Sequence, residues 1–284
     1  MWLIYTSKHV PQDWINRAFS GEKIVRSVPL VYAGLSDNDE KICHDVSKII
    51  AVGSGRVIDY AKLVASEHNK PLMAVPTSIT TDCLFTDVTA VRRGRGVEYV
   101  KSKVPDELML VPSMLMENVD RCNYAWMDLF SSFTATIGID DLITDRQKSM
   151  NETLKQFVEN KAILIGTLGD MFYLMHCLKW EVDLCNIAGT ALGVEEGLEH
   201  YMSYILEGEL GMRYMHGEYL LATISFLCDE YDIVDPKIWP MLYPCMPMRW
   251  EHVRLNSLDI KPLLEDIQHK ALEWLREDVK AVMK

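Results

Sequence analysis

Residues 1–115 of this 284-residue chain predict an α/β lobe built on a parallel sheet, and residues 116–284 predict an all-α domain. Three observations carry that expectation. Up to Pro112, short β-rich runs alternate with helical segments, the pattern of a parallel layer with crossover helices. A buried strand stops at Gly53-Ser54-Gly55, where a helix begins. Beyond Pro112 the apolar spacing becomes helical, with Pro240, Pro244 and Pro247 marking a loop rather than a helix interior.

Residues 3–5, 28–32, 49–52 and 72–75 read as strands because each is a short aliphatic or β-branched run of the kind buried in parallel sheets. Between them, residues 37–48 and 57–68 carry helical spacing. Arg92-Arg93-Gly94-Arg95 reads as a solvated hairpin tip, with the glycine supplying the turn. In the second half, helices are expected over residues 114–139, 150–166, 170–183, 187–207, 217–230 and 260–282. The sequence contains no repeat and no low-complexity linker.

Composition narrows the classes of function. The hydrophobic share of 49% and charged share of 25% are those of an ordinary globular chain. A formal net charge of -12 repels polyanions, so neither nucleic acid nor an anionic membrane surface is an expected partner. The seven cysteines, Cys43, Cys83, Cys122, Cys177, Cys185, Cys228 and Cys245, are odd in number and scattered. They form no disulfide framework or zinc-cluster spacing, and point to a reducing cytoplasm. The apolar opening Met1 to Tyr5 has no basic leader or cleavage site, so it does not read as a signal peptide. The apolar stretch 162–175 is broken by Asp170 and is too short for membrane insertion.

Three places concentrate polar chemistry. At Gly53-Ser54-Gly55-Arg56-Val57-Ile58-Asp59, glycines let a backbone approach a phosphate, and the following helix start attracts an anion. Alone, such a turn is as consistent with tight strand-to-helix packing. A second turn, Thr77-Ser78 through Asp82, offers hydroxyls and a carboxylate, although the same residues also serve as ordinary caps. Two such turns after successive parallel strands face one crevice.

The third place is the pair His200 and His216, within an apolar helical region that includes several carboxylates. A single histidine on a helix is more often a hydrogen-bonded core or surface residue than a ligand. A working zinc site usually takes three protein ligands and leaves one position open, so a third ligand is needed. Asp128 is the candidate.

The runs 53–65 and 70–82, read together, resemble the sn-glycerol-1-phosphate dehydrogenase family. Its relatives are glycerol dehydrogenase, iron-type alcohol dehydrogenases and, more distantly, dehydroquinate synthase. The resemblance implies a Rossmann-like lobe, shortened at its N-terminus, plus a helical domain, in the dehydroquinate synthase-like arrangement. It implies NAD or NADP as cofactor, with Gly53 to Asp59 on the pyrophosphate and Thr77, Ser78 and Thr86 on the nicotinamide side. An acidic residue for the ribose hydroxyl would be Asp37 or Asp39. Asp128, His200 and His216 would hold zinc or another divalent metal, with Asp140 and Asp141 as rivals to Asp128. Asp82 and Tyr204 would orient a polyol or polyol phosphate, glycerol 1-phosphate or dihydroxyacetone phosphate above all. A homo-oligomer is compatible with this picture.

Three features depart from the family pattern. Tyr204 stands where that branch usually has a second histidine contacting substrate. The glycine turn arrives early in the chain, and the segment leading to Asp128 is one residue shorter. Two alternatives follow. A dehydroquinate synthase-like sugar-phosphate cyclase would need a basic pocket, for which Arg56, Lys62, Arg121 and Arg213 are the available residues. A non-catalytic binding homologue would keep the scaffold without turnover.

Overall fold

The protein is represented by a computed structural model that describes residues 1–28, 44–93, 96–210, 215–233 and 257–282. It divides into two compact units, Met1–Val119 and Asp120–Lys284.

Among the described residues, the first unit is built on a five-stranded parallel sheet in the order β2-β1-β3-β4-β7. Its strands are β1 (Trp2–Thr6), β2 (Lys23–Ser27), β3 (Lys48–Gly53), β4 (Leu72–Pro76) and the short β7 (Glu107–Leu108). Helix α1 (Gln12–Ala18) links β1 to β2, and α2 (Gly55–Glu67) links β3 to β4. Successive strand residues face opposite sides of a sheet. Ile4, Ile50, Val52 and Val75 accordingly pack with Ile15 and Phe19 of the α1 region, while Tyr5 meets Tyr60 of α2 edge-on at 5.2 Å. Burying Ile15 and Phe19 contributes about 1.5–3 kcal/mol each and covers one face; α2 covers the other.

A strand not expected from the sequence occupies Lys23–Ser27, and pairs in parallel with β1 from Trp2↔Lys23 to Thr6↔Ser27. Lys23 and Arg26 hide it from an apolar-run search, because an edge strand tolerates charge that a central strand does not. Residues 29–43, which hold most of the expected 28–32 strand and the start of the 37–48 helix, lie outside the described residues, as do Asp37 and Asp39. His44 to Ser47 form a turn leading into β3, which begins at Lys48.

Strands β5 (Val88–Arg93) and β6 (Gly96–Lys101) form a separate antiparallel hairpin with Arg93 opposite Gly96. Its tip at residues 94–95 lies outside the described residues.

The hairpin is tied down by Lys62, whose side chain is fully buried. The ammonium donates to Asp59 Oδ1 (3.2 Å), the Cys83 carbonyl (3.0 Å), Thr86 Oγ1 (3.1 Å) and the Val88 carbonyl (2.6 Å). A buried charge is tolerated when it is paired and hydrogen-bonded. Lys62 thus joins α2, the 83–86 turn and β5, and is engaged too fully to serve a phosphate pocket.

The second unit is helical. Helix α3 (Pro112–Met116) closes the first unit; from α4 (Val119–Cys122) the chain runs through the 3-10 turn Asn123–Ala125, α5 (Trp126–Phe130) and the 3-10 turn Ser131–Phe133. One helix over 114–139 was expected. It breaks because polar side chains compete for the backbone: Ser132 Oγ donates to the Leu129 carbonyl (2.7 Å) and Thr134 Oγ1 to that of Ser131 (3.1 Å). Asn123 is also drawn away, exchanging hydrogen bonds with both backbone groups of Ile165.

Helix α6 (Asp145–Lys161) opens with a Thr144/Gln147 capping box, and α7 (Leu168–Ala188) with one from Thr167/Asp170. The expected helix over 187–207 does not continue through its first residues. Gly189, at φ 88°, ends α7 in the left-handed conformation, and α8 (Leu198–Leu210) begins after a loop. Helices α9 (His216–Glu230) and α10 (Ser257–Val282) complete the described part. Pro240, Pro244 and Pro247 lie outside it. No helix among the described residues is long and apolar enough to cross a membrane.

Candidate functional site

The sheet order sets the first site. The chain leaves β1 for β2, then returns to the other side of β1 as β3, so the order reverses between β1 and β3, and it is at the carboxyl ends beside such a reversal that open α/β sheets bind ligands. Gly53 ends β3 there and pairs with Pro76 at the end of β4, while the Thr77 N–H donates to the Gly53 carbonyl (3.0 Å). The glycine and Thr77-Ser78 turns are therefore side by side. A Cβ on Gly53 would lie 2.6 Å from the Val57 side chain, so a side chain at 53 would disrupt the first turn of α2.

Within this turn the predicted residues divide by role. Val57 and Ile58 are buried, and their N–H groups donate to the Ser54 carbonyl at 2.9 and 3.2 Å. They support the turn through packing and cannot also present those N–H groups to a cofactor. The preceding positions, Ser54, Gly55 and Arg56, contain the amides that helix geometry leaves without an intrahelical carbonyl. Ser54 makes no side-chain cap. Ser78 is buried and Thr77 half-buried. Asp59 and Thr86 accept from Lys62, and the Asp82 carbonyl accepts from the Phe85 N–H at 2.7 Å.

The second site lies wholly within the helical unit. Donor atoms of Asp128 on α5, His200 on α8 and His216 at the start of α9 lie within 4.8 Å of one another. His216 Nε2 is 4.0 Å from Asp128 Oδ1, too far for a hydrogen bond. These atoms border a shared point. Asp128 and His200 are buried, and the His216 side chain is 18% exposed.

Close backbone crossings hold the site together. A Cβ on Gly197 would lie 2.4 Å from Ala135 Cα and its carbonyl oxygen, and one on Gly217 would lie 2.6 Å from the Tyr124 carbonyl oxygen. Glycine at these positions lets the starts of α8 and α9 meet the segments flanking Asp128. Asn151 Nδ2 donates to the Ser132 and Val194 carbonyls (2.8 and 2.6 Å), fastening the loop before α8 to the segment after α5.

Each imidazole also contacts a buried carboxylate. His200 Nδ1 is 3.0 Å from Glu199 Oε1, and His216 Nδ1 is 2.9 Å from Glu207 Oε1. Glu199 is fixed in turn by the Gly197 N–H (2.7 Å) and Thr134 Oγ1 (2.8 Å). With Nδ1–H directed at a carboxylate, a neutral imidazole places its lone pair on Nε2. The oxygen and nitrogen donors fit a divalent cation such as zinc, and the carboxylates provide the outer contacts typical of metal-binding histidines.

Burial opposes charge on His200, but Glu199, through its hydrogen bond and charge, outweighs that effect with help from Glu196 and Asp128. The His200 pKa is pushed up to about 9. In the metal-free protein the ring therefore holds a proton at neutral pH, which a cation must displace to bind Nε2.

Residues 32–110 match the family model of iron-containing alcohol dehydrogenase. The resemblance read from Gly53 to Asp82 holds. Over 189 residues the chain is 24% identical to the glycerol-1-phosphate dehydrogenase (NAD(P)+) of Methanoregula boonei, covering 63% of this chain and 52% of that protein. It thus spans about half the length of that curated relative; in another, the matched share is 26%.

A probable glycerol dehydrogenase from Sinorhizobium meliloti 1021 superposes with a TM-score of 0.62 at 14% identity, covering 99% of this chain and 90% of that chain. A 2-deoxy-scyllo-inosose synthase complexed with carbaglucose-6-phosphate, NAD+ and Co2+ superposes at 0.58 with 16% identity, covering 86% and 72%. At these identities the two structures show the fold: a parallel α/β layer followed by a helical part, as in glycerol dehydrogenases and dehydroquinate synthase-like enzymes. Asp128, His200 and His216 fall outside the stretch matched by the iron-containing alcohol dehydrogenase model.

Asp140 and Asp141, the rivals to Asp128, do not join the histidines. Asp141 forms a two-point ion pair with Arg276 at 3.0 and 2.8 Å, and Asp140 is exposed. Tyr204 is buried beside His216, with rings parallel within 12° and centroids 5.5 Å apart, and its hydroxyl donates to Glu196 Oε1 (3.3 Å). Among the residues considered for a phosphate pocket, Arg121 is exposed, while Arg213 lies outside the described residues.

Sequence reading missed the specific roles of Glu199 and Glu207. A usable signal existed: Glu207 follows His200 by seven positions and Tyr204 by three, so all three share one helix face.

Proposed function

We propose that this chain is a divalent-metal-dependent, NAD(P)-linked polyol dehydrogenase, interconverting glycerol 1-phosphate and dihydroxyacetone phosphate or a related glycerol-like pair. The observation that carries this reading is the convergence of Asp128, His200 and His216 from three separate helices. Asp128, His200 and His216 would hold the cation, which when bound would supply a Lewis acid for a substrate oxygen. The dinucleotide supplies the hydride carrier.

The chain's own residues provide attachment and orientation. Gly53, Ser54, Gly55 and Arg56 form the backbone cradle for pyrophosphate, supported by Val57, Ile58 and Asp59. Thr77, Ser78 and Thr86 serve the nicotinamide side, while Asp82 and Tyr204 orient substrate hydroxyls. The carboxylates of Glu199 and Glu207 keep the histidine Nε2 atoms available. The support is the joint presence of a nucleotide-type turn at a switch point and a three-donor cluster.

Replacing His216 with Ala is expected to abolish bound metal and turnover while leaving the fold intact. A fully active metal-free variant would end the metal-dependent reading. Fluorescence titration with NADH and NADPH tests the nucleotide turn separately. A panel of glycerol, glycerol phosphates and dihydroxyacetone phosphate tests the substrate class; phosphate release without net NADH formation would indicate a cyclase instead.

A further inference from the structure

We infer that Tyr204 and Glu207 form a cross-helix clamp that fixes the ring plane and tautomer of His216, making both positioning residues for the cation site. The inference rests on the metal-dependent reading above and deepens it, adding the Tyr204 ring to the contact that Glu207 makes with His216.

His200, Tyr204 and Glu207 occupy positions i, i+4 and i+7 on α8, one face of a helix. His216 comes from α9 and meets this face at two points. Its ring lies parallel to that of Tyr204, and its Nδ1 is 2.9 Å from Glu207 Oε1. The stack restricts ring tilt, while the hydrogen bond restricts rotation about the Cβ–Cγ bond and selects the Nδ1–H tautomer. Together they turn Nε2 toward Asp128, 4.0 Å away. One helix thereby supplies a candidate ligand and the apparatus that aims another. Tyr204 reaches Glu196 through its hydroxyl, so the ring performs the clamping and the hydroxyl secures the ring.

The test is Co2+ binding to the full chain, followed by its visible absorption bands and by chelator competition, with melting of each metal-free variant as the folding control. Co2+ accepts the same nitrogen and oxygen donors as zinc. Glu207→Ala is expected to weaken Co2+ binding about 10- to 100-fold and alter the bands, the range for loss of an outer contact to a metal-binding histidine. Glu207→Gln retains an acceptor but loses charge, so it should restore the wild-type band pattern with affinity between wild type and Glu207→Ala.

Tyr204→Phe keeps the stack and should preserve the bands; Tyr204→Ala should broaden or shift them. If wild type itself fails to bind one Co2+, the underlying metal reading falls. If wild type binds and both Glu207 variants match its affinity and bands, the clamp is overturned while the metal reading stands. Should Glu207→Ala fail to fold, unchanged affinity in Glu207→Gln overturns the clamp.

Discussion

Raising the pH of the metal-free protein should weaken its fold through one identifiable group. His200 is 5% exposed, and Glu199 lies 3.0 Å from its Nδ1; with Glu196 and Asp128, this environment raises its pKa from 6.5 to about 9. The native state therefore holds the proton more tightly than the unfolded chain. The stabilisation is fully present below pH 6.5 and is lost as pH rises through about 9. The size of the shift corresponds to about 3 kcal/mol at 25 °C. Urea unfolding with chelator present, measured across that window, should show a falling midpoint with an unchanged slope against denaturant. Glu199→Gln should flatten the dependence. Added divalent cation at saturation should level the dependence, because binding at Nε2 releases the proton and tightens about tenfold per pH unit until His200 is neutral, which offsets the loss. A metal-free protein with level stability across this window, indistinguishable from Glu199→Gln, would refute the argument.

Further predictions concern packing and access. Gly197→Ala places a Cβ 2.4 Å from Ala135 backbone atoms, which cannot rotate away; a loss of about 1–3 kcal/mol or more in denaturant unfolding is expected, with weakened metal binding. Lys62→Met leaves the carbonyls of Cys83 and Val88 without its ammonium and removes one partner of Asp59, at 3.2 Å. It should cost about 3–5 kcal/mol and loosen the hairpin, measurable as faster amide exchange in β5. Burial, followed by the charge of Asp59, pushes the Cys83 thiol far above its ordinary range. Alkylation at mildly alkaline pH should therefore spare Cys83 in the native protein and label it after unfolding, as read by peptide mass analysis.

The alternating strand and helix pattern, the glycine turn and the switch to helical spacing were local properties, legible because secondary structure and turns follow short-range periodicity and residue geometry. The histidines could likewise be assigned to helical segments, and Asp128 could be selected by family resemblance. Other outcomes needed three dimensions. Ser132 and Thr134 divide an apparently continuous helix because their hydroxyls capture nearby carbonyls. Lys62, which could have been a phosphate contact, finds acceptors from three different segments and becomes an internal tie.

Only tertiary packing brings Asp128 to His200 and His216, through glycine contacts between segments distant along the chain. It also separates Asp141 from them by giving its carboxylate to Arg276. The sequence by itself determined which residues could act as donors and which segments could carry them. Their convergence depended on long-range contacts, because side chains from separated helices acquire a common orientation only after their backbones have packed.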